Sequence, residues 1–264
     1  MASPPSPATD KASELDRRDW IAGLEKGLAV IEAFDAEHAR LTASEAGQRC
    51  GMTRTAARRY LLTLAHLGYV SHDGKHFWLT PRVLRLGQAY IDSARLPRSV
   101  QPYLQRITAG TGEIAYVAVL DGGEVIYIAR SGTHRHLHTG YGLGTRVQAQ
   151  VTAAGMAILA LQDPAATEAW LQPRELRAYT SHTIASKDRL RQELARVREQ
   201  GWALSEQQLE LNYRGIAVPL FDRFGSLVGA LNISMPMNHE SSEDAVGRVL
   251  PVLQETARSL RNLL

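Results

Sequence analysis

Between Thr42 and Leu67, helix start and stop signals alternate so closely that only two short helices around a tight turn satisfy them. Thr42 and Glu45 have the Thr-x-x-Glu spacing of a capping box. Gly51 can take the left-handed conformation that ends the first helix. Thr53 can cap the second, and Gly68 stops it. At about 100° per residue, Ala57, Tyr60, Leu61, Leu64 and Leu67 share one side of that second helix. Arg54, Thr55, Arg58, Arg59 and Leu62 share the other. An apolar face holds the helix down while its opposite face offers donors near the N-terminus. A helix that reads phosphates and guanine edges in the major groove needs this arrangement. An ordinary surface helix with arginines on its wet side has the same pattern, so the neighbouring sequence matters.

The segment from Tyr69 to Leu79 follows at once. Its Asp73-Gly74 pair is a hairpin signal flanked by apolar residues. A short hairpin after a recognition helix reads as a wing, with Lys75 and His76 at a tip suited to a phosphate or the minor groove. From Arg49 to Arg85 the basic residues are Arg49, Arg54, Arg58, Arg59, Lys75, Arg82 and Arg85, and the only acidic residue is Asp73. This local asymmetry falls where DNA contact is expected. The candidate DNA-contacting residues are therefore Thr53, Arg54, Thr55, Arg58, Arg59, Lys75 and His76. The expected partner is double-stranded operator DNA.

Over all 264 residues the net charge is only +3, so the local cluster says more than the total. With 44% hydrophobic and 22% charged residues, a globular chain of one large or two ordinary domains is expected. The single cysteine, Cys50, excludes an intrachain disulfide and a cysteine-rich metal site. No apolar run approaches the ~20 residues that span a bilayer, and no signal peptide is visible, so a cytoplasmic protein is expected.

In chain order, residues 1–18 read as a disordered tail, with Pro4, Pro5 and Pro7 and little to bury. A helix from about Ala22 to Ala36 carries the stripe Leu24, Leu28, Ile31 and Phe34. It opens a winged helix-turn-helix domain over 19–80. Thr80-Pro81 starts a linker helix over 81–96, apolar on more than one side and suited to packing against a partner subunit. A second domain covers 97–264. Apolar runs Ile114–Leu120 and Val125–Ala129 flank a hairpin turn. A small-residue helix is expected over Ala153–Leu161, and an amphipathic one from the Ser186 cap to Gly201. Ile216–Leu220 and Leu227–Ser234 read as strands, and a last helix starts near Glu243. Helices mixed with antiparallel hairpins define an α+β fold.

This order of elements, with several motifs, resembles the IclR-type bacterial transcriptional regulators from Gly23 to Leu264. Gly23-Leu24-Glu25-Lys26-Gly27-Leu28-Ala29-Val30-Ile31 looks like the start of their DNA-binding domain. Gly201-Trp202-Ala203-Leu204-Ser205 and Ile216-Ala217-Val218-Pro219-Leu220-Phe221-Asp222 look like their C-terminal signature. That signature usually has Glu where Gln208 stands, and Cys, Ser or Ala where Gly215 stands. Ala56–Leu64 and Leu79–Leu84 look most like the branch controlling protocatechuate and 4-hydroxybenzoate catabolism. The resemblance implies a GAF-like effector domain and an effector that is an aromatic acid or a ring-cleavage product. It also implies a homodimer through the N-terminal region, or a tetramer, and no cofactor. Pocket positions implied in the same way are Ala153, Ala154, Ser205, Gly215, Asn232 and Ser234.

The residues themselves agree in part. Asn232 and Ser234 lie two apart on a strand and face the same way, toward a ligand or toward solvent at an edge. Thr152 can cap a helix whose first residues, Ala153, Ala154 and Gly155, leave backbone N–H groups open to a carboxylate. Arg130 ends an apolar strand and can pair with a ligand carboxylate, or lie on the surface. His134, His136 and His138 alternate as metal ligands can, but the segment is Gly-rich without a nearby acid, and loop histidines are the default. The spaced Gly140, Gly142 and Gly144 follow no strand into a helix, and no Gly-x-Ser-x-Gly or His-Glu-x-x-His appears. The alternative is an enzyme or metal-dependent sensor with an accessory DNA-binding domain. The arginine-bearing helix and basic wing favour a ligand-responsive regulator.

Overall fold

A computed structural model describes residues 19–132 and 141–264. The expected tail and His134, His136 and His138 lie outside the described residues. The chain divides into two compact units between Gln88 and Ala89.

In the smaller unit, α1 (Ala22–Glu32) precedes β1 (Leu41–Thr42), α2 (Ala43–Arg49) and α3 (Arg54–His66). The hairpin β2 (Val70–His72) and β3 (His76–Leu79) follows. The capping box at Thr42 is formed on both sides, and Thr53 Oγ1 accepts from the Ala56 N–H. Gly51 at φ +61° lets the chain turn sharply between α2 and α3. Val30, Ala46, Ala57 and Leu61 form the centre of the core. The sequence pattern did not reveal β1, which pairs with β3 and makes the wing one edge of a three-stranded sheet.

Two expectations for this unit are corrected. The stripe on α1 faces the core only at its C-terminal end: Ile31 and Phe34 pack there beside buried Val30 and Ala33, while Leu24 is 62% exposed and Leu28 46%. The helix is apolar on two faces, and periodicity alone could not say which one packs. Leu67, expected on the inner face of α3, is also exposed, because it stands past the helix end where the chain turns at Gly68.

The expected linker helix is broken. Thr80 caps a 3₁₀ turn at Pro81–Val83, α4 runs over Leu84–Ser93, and an extended Ala94 separates it from α5 (Arg95–Thr111). Pro97 therefore does not end a helix. It lies in the first turn of α5, where a missing N–H leaves no bond unmade.

The larger unit is built on a six-stranded antiparallel sheet in the order β6-β5-β4-β9-β8-β7. Its strands are β4 (Ile114–Asp121), β5 (Glu124–Ser131), β6 (Arg146–Gln148), β7 (Ala203–Glu206), β8 (Tyr213–Phe221) and β9 (Leu227–Pro236). Two hairpins, β4–β5 and β8–β9, meet at the central β4–β9 pair. One sheet face packs on α5 and α9 (Ser242–Arg261) through Val100, Leu104, Val249 and Leu253. The other face packs on α6 (Ala153–Leu161), backed by α7 (Pro164–Leu171) and α8 (Lys187–Gln200). Helix α6 is apolar all round, as a helix buried on every side must be. Among the described residues no helix is long and apolar enough to cross a membrane.

Two glycines test this packing. A Cβ on Gly155 would sit 2.1 Å from Ala149 O, whereas one on Gly110 in α5 meets nothing within 4 Å. Gly155→Ala is expected to destabilise the protein by about 1–3 kcal/mol or more through overpacking. Gly110→Ala should stabilise it by about 0.5–1 kcal/mol through helix propensity. Urea unfolding of both variants checks the signs.

Candidate DNA-binding and effector sites

The core contacts of Ala57, Leu61 and Leu64 fix which side of α3 faces out. Thr53, Arg54, Thr55, Arg58 and Arg59 are all exposed on that side. Thr53 is occupied as the cap, so its hydroxyl oxygen already accepts one backbone bond. Among the described residues, Arg54, Arg58, Arg59 and Lys75 form no ion pair, so their charges are available to phosphates. The wing tip is held by Asp73, whose carboxylate accepts from the backbone N–H groups of Lys75 (3.0 Å) and His76 (2.8 Å). Those two bonds hold the Asp73 carboxyl down to about 2. His76 is half-buried and within 3.5 Å of Asp73, which leaves Lys75 as the freer group of the two.

In the larger unit, a cavity of about 50 Å³ lies between the start of α6 and the middle of the sheet. Thr152 and Ala153 bound it from α6, and Ser205, Gly215, Asn232 and Ser234 bound it from β7, β8 and β9. Register explains the convergence. Ser205 is opposite Gly215, Gly215 is opposite Ser234, and Asn232 follows two residues before on the same face. Thr152 Oγ1 accepts from the Gly155 N–H at 3.0 Å. The first-turn N–H groups of Ala153 and Ala154 have no intrahelical acceptor. Ser205 Oγ donates to Val151 O at 2.8 Å and keeps its lone pairs. Asn232 is only 3% exposed, and no side-chain hydrogen bond to it is found among the described residues. A Cβ at Gly215 would stand 3.3 Å from Asn232 Oδ1, so glycine there gives the amide its room.

Three residues expected at the site stand elsewhere. Ala154 and Gly155 do not line the cavity, because Gly155 is bare for the Ala149 backbone that packs on it. Arg130 lies on β5 behind the cavity wall, with its guanidinium carbon 5.9 Å from the centre of the Tyr116 ring.

Sequence reasoning missed the aromatic wall and, apart from the Gln208 position of the family signature, one loop. Tyr127 and Tyr141 line the cavity with rings 5.4 Å apart, and Gln207 to Glu210 close another side. A tyrosine inside an apolar strand was a readable signal for Tyr127. Nothing local marked the loop, which Thr180 and Thr183 tie down by donating to Gln207 O and Gln208 O. Burial, with lesser effects of Tyr141 and Tyr116, pushes the Tyr127 phenol well up. Burial, then Glu210, pushes Tyr141 up to about 12. Both phenols are neutral donors at physiological pH. Among the described residues no group of metal-ligating side chains is assembled.

The IclR helix-turn-helix domain matches residues 23–74, and the C-terminal domain of bacterial transcriptional regulator IclR matches residues 88–262. The Pca operon regulatory protein of Acinetobacter baylyi is 40% identical over 95% of this chain and 91% of its own length. The p-hydroxybenzoate hydroxylase transcriptional activator of the same organism is 38% identical over 96% of this chain and 95% of its own. A crystal structure of a double mutant of the PobR inducer-binding domain from Acinetobacter, in complex with 3-hydroxybenzoic acid, superposes with a TM-score of 0.62. It is 32% identical and covers 65% of this chain and 100% of that one. With its winged helix-turn-helix and its α+β effector unit, the chain belongs to the IclR family of bacterial transcriptional regulators, which are DNA-binding proteins and not enzymes.

Proposed function

We propose that this regulator controls aromatic-acid catabolism by binding an aromatic acid, or a ring-opened carboxylate, in the cavity beneath α6. The observation that carries this reading is the pairing of a helix N-terminus with a wall of neutral donors and rings. Helix α6 offers the N–H group of Ala153 and the positive end of its dipole to a carboxylate. Asn232, Ser234 and Ser205 face it with groups that bond a second oxygen. Tyr127 and Tyr141 supply flat apolar surface for a ring. The names of two relatives, and the hydroxybenzoate in a third, support the same ligand class.

DNA is read by α3, with Arg54, Thr55, Arg58 and Arg59 in the major groove and Lys75 and His76 of the wing on the flanking backbone or minor groove. The protein works in the cytoplasm as a homodimer, or a tetramer of two dimers. Apolar residues left exposed support self-association: Trp20, Ile21, Leu24 and Leu28 around α1, and Leu84, Leu86 and Tyr90 on α4. A two-fold protein reads inverted half-sites. The ligand must bind one arrangement of the chain better than another to shift its affinity for DNA.

Arg58→Ala with Arg59→Ala should weaken binding to duplexes that the wild-type protein selects from a random pool. A lost base contact costs about 1–3 kcal/mol. Fluorescence anisotropy reads the loss, and circular dichroism should show an unchanged fold. Binding equal to wild type would remove α3 as the reader.

For the effector, calorimetry of the full chain with 4-hydroxybenzoate and protocatechuate is expected to show binding by the wild type. Binding should be lost in Ala153→Trp, which fills the cavity mouth at α6. Equal binding by both proteins would move the pocket elsewhere. No binding of either acid by the wild type would sink the aromatic-acid reading.

A further inference from the structure

One buried hydroxyl beside the cavity makes no hydrogen bond among the described residues, although its ring packs in the core. Tyr116 is 0% exposed, yet among the described residues its hydroxyl has no hydrogen-bond partner. Buried tyrosine hydroxyls nearly always find one, and an orphaned donor costs stability. On the strand beside it, Arg130 Nη2 is also a buried atom without a hydrogen-bond partner among the described residues. Strand register explains why the two stand together. Tyr116 on β4 is opposite Arg130 on β5 and opposite Asn232 on β9, so the three side chains form one row on the α6 face. Asn232 is a wall of the cavity, and so is Tyr127, whose ring is 4.8 Å from that of Tyr116. Tyr116 is thus flanked by cavity walls on both sides.

The cavity is also too small as it stands. It holds about 50 Å³, against ~150 Å³ in an engineered cavity that binds benzene. An aromatic acid must widen it, and Tyr116 stands next to two of its walls, Tyr127 and Asn232. That hydroxyl is neutral and free to donate, since burial raises its pKa and Arg130 opposes this only in part.

We propose that Tyr116, supported by Arg130, is the specificity-determining pair that receives the ring oxygen opposite the effector's carboxylate. The proposal rests on the aromatic-acid reading of the cavity and adds which oxygen is recognised and by what. The two orphaned groups are both donors, a phenol O–H and a guanidinium N–H, on residues that stand opposite one another on neighbouring strands. A phenolic oxygen on the ring fits them. Benzoate, without that oxygen, would leave both donors unpaired on binding, and such sites discriminate strongly against the analogue lacking the polar group.

The test is calorimetry of the full chain with 4-hydroxybenzoate and with benzoate, for wild type, Tyr116→Phe and Arg130→Met. The wild type is expected to prefer 4-hydroxybenzoate by about tenfold or more, as a hydrogen bond to a charge-supported donor allows. Both variants should bring the two affinities to within about twofold by weakening 4-hydroxybenzoate alone. Without ligand, Tyr116→Phe should melt at or above the wild-type temperature, since it removes a hydroxyl that bonds nothing. A lower melting temperature would mean that the hydroxyl serves the fold and would overturn the proposal. A wild-type preference kept in both variants would overturn it while leaving the aromatic-acid reading intact. Failure of the wild type to bind either acid would remove both.

Discussion

The pairing of β4 with β9 sets Tyr116 opposite Asn232 and Ile114 opposite Ser234, and the effector unit is arranged around that register. Two hairpins that are local in sequence become one sheet there. A slip of one residue would turn every side chain on β9 to the other face. Asn232 and Ser234 would then point into the apolar layer against α5 and α9, and Leu231 and Ile233 would meet α6. The register is held because each sheet face is committed. Ala115, Val117, Leu231 and Ile233 pack toward α5 and α9, while Tyr116, Ala118 and Ala230 pack toward α6. Polar side chains that belong to no core are thereby gathered over one buried spot.

Helix α6 depends on the same packing from the other side. The chain folds into a 3₁₀ turn at Ala149–Val151 and turns directly into the helix, so that the turn's backbone lies on Gly155. This close approach brings the N-terminus of α6 down to the sheet instead of out to solvent. Thr152 then caps the helix from below and leaves only two N–H groups unassigned. The helix dipole is aimed at the cavity because of a steric constraint on one glycine, not because of any charged side chain.

On α3 the packing residues and the exposed charges lie on separate faces. Leu61 and Leu64 hold the helix while Arg58 and Arg59 hang from its outer face with no ion pair among the described residues. Such arginines contribute little to folding, so changing them costs little stability. Tyr116 and Arg130 show the opposite arrangement. The Tyr116 hydroxyl and Arg130 Nη2 are buried atoms with no hydrogen-bond partner among the described residues, and each such group calls for an explanation.

The winged domain was legible because its signals are local. Caps at Thr42 and Thr53, stops at Gly51 and Gly68 and the Asp73-Gly74 turn each act within one turn of chain. The two hairpins and the buried helix of the effector unit were legible for the same reason. Helix α1 shows where this ends: both its faces are apolar, and only packing against α3 chose Val30 over Leu24. The break at Ala94 was likewise hidden, since Pro97 is as acceptable in a first helical turn as after a last one. In the cavity, the parity of Asn232 and Ser234 could be read from their spacing. That Ser205 and Gly215 join them depends on pairings between separate strands. The sequence by itself determined the elements, their capping and the faces that carry polar groups, because those follow from neighbours in the chain. Only the tertiary structure decided which polar groups meet and which are left without a partner, because cross-strand register and the approach of α6 are set by the packing of both cores at once.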